Sequence, residues 1–128
     1  TVFTSRCNLL ARENLNKLYI MKLSDFENII SVDRPLLVDF FASWCGPCRV
    51  MQPIVKEFVD RMGGEVDFLG VDVDQHDSQP LVDHYRVMSV PTLLLFRGGR
   101  ILWRNSGVMS LEKMLDVVRQ LQRTEVYY

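Results

Sequence analysis

Leu36-Leu37-Val38-Asp39-Phe40-Phe41-Ala42-Ser43-Trp44-Cys45-Gly46-Pro47-Cys48-Arg49-Val50-Met51 changes periodicity partway through. Its opening residues, Leu36 to Phe41, form a nearly continuous apolar run broken only by Asp39, the pattern of a central strand covered on both faces. Beyond Pro47, the apolar positions Val50, Met51, Ile54, Val55, Phe58, Val59 and Met62 recur at helical spacing until Gly63-Gly64 ends the run. Cys45 and Cys48 therefore stand where a buried strand gives way to an amphipathic helix. Pro53, inside that helix, removes a backbone donor and predicts a kink.

Reading outward in both directions extends the alternation. Tyr19 to Leu23 reads as a short strand, and Ser24-Asp25-Phe26-Glu27 has capping-box spacing, predicting a helix of two turns before Pro35. Downstream, Val66 to Val73 is a strand, and Ser78 with Pro80 starts a short helix through about Arg86. Thr92 to Phe96 and Ile101 to Arg104 flank Arg97-Gly98-Gly99-Arg100, a β-hairpin with a glycine-containing loop. Leu111, Met114, Leu115, Val118 and Leu121 make the apolar stripe of a closing helix, with Ser110 as its N-cap. The order β-α-β-α-β-α-β-β-α predicts an α/β fold with a central mixed β-sheet flanked by helices. Residues 19–128 form that domain and residues 1–18 a leader or extension, in which Leu9 to Leu18 reads as an extra helix.

A chain of 128 residues with 48% hydrophobic and 24% charged residues fits one globular domain. Its formal charge of -1 offers no basic surplus for nucleic acid, and its apolar runs are too short for a membrane anchor. Three cysteines do not make the multi-bridge framework of a small secreted domain, which points to a reducing compartment. The stretch Thr1 to Asn8, with Ser5, Arg6 and Cys7, lacks the apolar core of a secretory signal; it reads as a plain leader or as the remnant of an organellar presequence.

Two cysteines separated by two residues can close a small disulfide loop. When that loop opens a helix, the first sulfur meets the positive end of the helix dipole, favouring a Cys45 thiolate. Disulfide exchange needs an attacking thiolate and a second thiol to release the mixed disulfide. Cys45, at the exposed helix start, is assigned attack, and Cys48, already inside the helix, resolution. Pro47 suits an early helical position and Gly46 leaves room for an approaching chain. A zinc site would want four Cys or His ligands, and Cys7, His76 and His84 supply no second paired spacing, so no metal is expected.

Asp39 shares a strand face with Leu37 and Phe41, which predicts burial and a raised pKa suited to taking a proton from Cys48. The competing reading is a carboxylate satisfied by local hydrogen bonds at a strand end. Trp44 is either a rigid wall beside the thiols or ordinary packing. Spacing leaves the Val90-Pro91 bond undecided between cis and trans. His76 and His84 read as solvated, Cys7 as incidental, and the methionines mostly as core filler.

Val38-Asp39-Phe40-Phe41-Ala42-Ser43-Trp44-Cys45-Gly46-Pro47-Cys48-Arg49, followed by Pro53, Val90-Pro91-Thr92, Gly99 and Gly107, closely resembles the thioredoxin family over about residues 19 to 123. The resemblance implies a thioredoxin fold and a protein-disulfide reductase that maintains cell redox homeostasis. In it Cys45 is the nucleophile, Cys48 the resolving thiol and Asp39 the proton acceptor. It implies that Pro91 is a cis proline facing the disulfide, and that Met88, Ser89 and Val90 line a client groove with Trp44, Gly46 and Pro47. No cofactor is implied on the chain itself; a flavin- and NADPH-dependent thioredoxin reductase would recharge the dithiol, and disulfide-containing client proteins would consume it. The expected protein is a monomer of the cytoplasm, or of the mitochondrion if the leader is a targeting remnant.

The Gly-Pro pair between the cysteines matches the family's reductants, whereas its oxidases and isomerases usually carry a His there. Gly70 stands where many relatives have a Lys near the buried Asp, and Phe41 replaces a frequent Trp. The competing functions are a disulfide oxidase or isomerase, separated by redox potential, and a binding module that would keep its activity without Cys45 and Cys48.

Overall fold

The computed structural model describes residues 4–5 and 23–126. Its elements are β1 (Thr4–Ser5), α1 (Leu23–Ile30), β2 (Leu36–Phe41), α2 (Gly46–Met62), β3 (Asp67–Asp72), a 3₁₀ turn (His76–Ser78), α3 (Gln79–His84), β4 (Thr92–Arg97), β5 (Arg100–Ser106) and α4 (Leu111–Val126). They form one five-stranded mixed sheet in the order β1-β3-β2-β4-β5. β2 runs parallel to β3 and antiparallel to β4, so the strand carrying Asp39 lies at the centre.

Alternation along the strands divides the core into two layers. Leu36, Val38 and Phe40 point to one face with Leu69, Val71, Leu94 and Phe96, where Phe26 and Ile30 of α1 and Leu81 of α3 cover them. Leu37, Phe68, Leu93 and Leu95 point to the other, beneath Met51, Val55 and Phe58 of α2 and Met114, Leu115 and Val118 of α4. A strand sandwiched this way has no solvent face, which is why Leu36–Phe41 is buried at every position and reads as an apolar run rather than an alternation.

Several expectations need adjustment. Leu23, expected to end a strand, opens α1, whose apolar side packs on the sheet; Tyr19 to Lys22 lie outside the described residues, as do the predicted helix Leu9 to Leu18 and Cys7. Among the described residues the antiparallel partner of β3 is Thr4–Ser5, opposite Leu69 and Phe68, a pairing too short to carry any periodicity. The third helix stops at His84 rather than Arg86, because Arg86 turns left-handed at φ 51°. Ser110 caps α4, with Lys113 N–H donating to its Oγ at 3.3 Å. The β4-β5 loop needs only Gly98 and Gly99, both at positive φ (58° and 79°), the backbone of a two-residue turn that matches strand twist. Their amides donate to Val32 and Ile30 carbonyls, tying the hairpin to the end of α1.

Candidate active site

β2 delivers the chain to the C-terminal edge of the sheet, and Cys45 N–H turns back onto Ala42 O at 3.2 Å. Cys45 is the N-cap of α2, with Gly46 and Pro47 as the first helical residues and Cys48 one turn in. The amide of Cys48 donates to Cys45 Sγ at 3.1 Å, so one of the unpaired amides at the helix start is spent on this sulfur. A thiolate at that atom would gain both this hydrogen bond and the helix dipole. Cys45 and Cys48 are joined as a disulfide, their Cα atoms 5.2 Å apart, and both are buried with Phe41 and Ala42, so the exposure expected of Cys45 at the helix start is not found. What distinguishes the two is that Cys45 lines the groove beside Trp44 and Cys48 does not.

Opposite the disulfide lies the segment entering β4. The Val90-Pro91 peptide is cis, answering the question that spacing left open. Val90 O stands 3.6 Å from Cys45 Sγ. Thr92, fully buried, donates its hydroxyl to Ser89 O at 2.7 Å and lies 3.1 Å from Ser106 Oγ, while Gly107 N–H donates to Pro91 O. The turn beside the sulfur is thus held from both β4 and the end of β5.

Between these two walls runs an open groove of roughly 560 Å³. Trp44, Gly46 and Pro47 line one side with Cys45, and Met88, Ser89 and Val90 the other, so every residue expected there except Pro91, which is buried, reaches the groove. Trp44 is 69% exposed and Met88 89%, so the groove presents apolar side chains to solvent. Met88 is accordingly no core filler, unlike Met51, Met62, Met109 and Met114. The sequence reading missed Val73, Gln79, Val82 and Val87 in the groove floor. It also missed Asp74, whose Oδ2 accepts from Trp44 Nε1 at 2.6 Å and holds the indole in place. No motif marks these positions.

Asp39 is 2% exposed, and its Oδ1 has no hydrogen-bond partner among the described residues. Its cross-strand neighbours are Gly70 and Leu93, and along its own face Leu37 and Phe41, so nothing in register with it carries a positive charge. Burial alone pushes its pKa from 3.8 to about 7. The reading of Asp39 as satisfied by local hydrogen bonds fails at Oδ1. Phe41, next on the same face, clusters with both cysteines, and Leu37, before it, clusters with Met51 and Val55, so Asp39 shares the sheet face that α2 covers. His76 and His84 are exposed and away from the groove, and no group of three or more His, Cys, Asp or Glu among the described residues could hold a metal ion. No described helix is long and apolar enough to cross a membrane.

A cysteine pair that opens a helix and borders an apolar groove is the working arrangement of a thiol–disulfide oxidoreductase. Comparison with known proteins agrees. The thioredoxin family model matches residues 17–120. A thioredoxin of Alicyclobacillus acidocaldarius is 38% identical over 96 residues, covering 73% of this chain and 90% of that one. The bifunctional thioredoxin reductase/thioredoxin of Mycobacterium leprae is 33% identical over 102 residues, 77% of this chain and 22% of that protein. Among solved structures, a chain from work on the thiol resolving mechanism of yeast mitochondrial 1-Cys peroxiredoxin via glutathione/thioredoxin systems superposes with a TM-score of 0.68 at 26% identity, covering 77% of this chain and 90% of that one. The chain belongs to the thioredoxin family.

Proposed function

We propose that this protein reduces disulfides of client proteins, with Cys45 as nucleophile, Cys48 as resolving thiol and Asp39 as proton acceptor. The observation that carries the reading is the Cys48 amide on Cys45 Sγ at the start of α2, beside a groove open to a protein chain. In the reduced protein the Cys45 thiolate attacks one sulfur of a client disulfide held against Trp44, Met88 and Val90. A Cys45–client bond forms, the client S–S bond breaks, and the second client sulfur leaves with the electron pair. Cys48 then gives its proton to the Asp39 carboxylate and attacks Cys45 Sγ. The mixed disulfide breaks, the client departs with two thiolates that take up protons from solvent, and Cys45–Cys48 is left oxidised by two electrons. A carboxyl with a pKa about 7 exchanges protons readily at neutral pH, where one at 3.8 would be a poor acceptor.

Recharging needs a dithiol donor. The joining of a thioredoxin to a reductase in one named relative supports a flavoprotein thioredoxin reductase drawing on NADPH as that donor. Every residue invoked belongs to one chain, so a monomer suffices, and net reduction calls for a reducing compartment such as the cytoplasm. The Gly46-Pro47 pair favours reduction over oxidation or isomerisation.

The test is insulin-disulfide reduction with dithiothreitol as electron source, comparing wild type with Cys45→Ser, together with equilibration against glutathione. Rapid reduction that needs Cys45, at a potential near the thioredoxin reference of about −270 mV, is the expected result. A potential near about −120 mV would move the protein to the oxidases, and turnover indifferent to Cys45→Ser would leave a binding module.

A further inference from the structure

α3 ends in an unusual way. Arg86 N–H bonds Asp83 O at 3.2 Å and Val87 N–H bonds Val82 O at 2.9 Å, the two hydrogen bonds of a Schellman cap, with Val87 packed into the core beside Val82. The residue at the left-handed position of such a cap is usually glycine, whereas here it is Arg86 at φ 51°, a conformation that crowds its own Cβ. What holds it comes from another element. Arg104 on β5 lies opposite Leu94, whose side chain points to the sheet face that α3 covers. Its guanidinium donates from Nη1 to Tyr85 O and from Nη2 to Arg86 O, both at 2.5 Å. A planar fork can engage two successive carbonyls at once, which the single ammonium of a lysine cannot do with the same geometry. The Tyr85 ring, against Phe26 and Phe96, fixes the same corner from the core side.

The chain from this corner runs Val87-Met88-Ser89-Val90 straight into the groove wall. Downstream it is held by Thr92 and Gly107; upstream its charged anchor is Arg104. We propose that Arg104 is a positioning residue for client binding: by clamping the Tyr85 and Arg86 carbonyls it sets where Met88, Ser89 and Val90 stand relative to the Cys45–Cys48 pair. This rests on the groove being the client site. Arg104 touches no reacting atom, so its loss acts on how clients bind and not on the exchange chemistry.

The experiment measures insulin reduction against insulin concentration for wild type, Arg104→Met, Arg104→Lys, Arg86→Gly and the Arg86→Gly/Arg104→Met double variant. Each is also assayed with 5,5′-dithiobis(2-nitrobenzoic acid), a small disulfide that needs no groove. Arg104→Met is expected to raise the apparent KM for insulin roughly 3- to 10-fold, as loss of two hydrogen bonds to a semi-exposed site allows, with turnover and the small-disulfide rate within about twofold of wild type. Arg104→Lys should recover only part of the loss. Glycine accepts the left-handed backbone without help, so in the Arg86→Gly background the same Arg104→Met change should cost less than half as much. An unchanged KM, an equal fall in the small-disulfide rate, or full additivity of the two changes would each overturn the positioning role while leaving the reductase reading intact. Wild-type protein that fails to reduce insulin would remove both.

Discussion

Asp39→Asn should change how stability depends on pH more than it changes stability itself. In the folded protein the carboxyl sits beneath α2 with Oδ1 unpartnered and a pKa about 7; in the unfolded chain it returns to about 3.8. Between those values the folded state holds a proton that the unfolded state has released. Unfolding stability therefore falls as pH rises, by up to 1.36 kcal/mol per pH unit, and levels off above the folded pKa. The whole fall amounts to about 4 kcal/mol, a large share of the 5–15 kcal/mol typical of a domain. An amide of the same shape cannot ionise, so the variant lacks this slope. It loses no hydrogen bond at Oδ1, and any other cost of the amide is the same at every pH. Urea unfolding of oxidised wild type and Asp39→Asn from pH 4 to pH 9 gives both curves. The variant's advantage should grow by about 4 kcal/mol across that range, with its midpoint near pH 5.5, halfway through the linear fall. Parallel curves would show that the buried carboxyl titrates normally and would remove the argument for Asp39 as a proton acceptor at neutral pH.

Three further outcomes are expected. Cys48→Ser should trap a mixed disulfide between Cys45 and an insulin chain, visible on a non-reducing gel and absent from Cys45→Ser, because the sulfur that resolves it is gone. Asp74→Ala frees Trp44 Nε1 and should raise the apparent KM for insulin about 2- to 5-fold without altering the rate with a small disulfide. Gly99→Ala meets no atom within 4 Å of its new Cβ, so its cost is that of holding φ at 79° with a side chain: about 1–2 kcal/mol, read as a melting temperature lowered by about 3–8 °C.

The elements whose side chains answer mainly to a local rule were legible. The β2 run, the α2 stripe, the Gly98-Gly99 turn and the Ser110 cap each follow from neighbours in sequence, because strand burial, helix periodicity and turn geometry are decided within a few residues. Where the start or end of an element depends on something distant, the reading slipped. Leu23 packs on the sheet as part of α1 instead of closing a strand, and β1 is two residues whose pairing with Phe68 and Leu69 is set by the far side of the fold. The end of α3 was placed only approximately for the same reason: the glycine that would mark it is absent, and Arg86 stands at the left-handed position with its carbonyl bonded by the distant Arg104.

That division runs through the site as well, and it separates two kinds of specificity. The groups we assign to the reaction occupy one strand–turn–helix segment, Asp39 to Cys48, so that assignment is written locally and a short motif suffices to find it. The groove beside it is assembled from three separate segments, and the ties that shape it join residues far apart: Trp44 to Asp74, Cys45 beside Val90, Arg104 to Arg86. A substitution at Asp74 or Arg104 removes a contact outside the cysteine pair and its helix, and is expected to move only the walls around them. Relatives with the same Cys-Gly-Pro-Cys turn can thus diverge in client choice through residues that no active-site motif contains, and the contrast between a protein disulfide and a small one is the measurement that separates the walls from the sulfur.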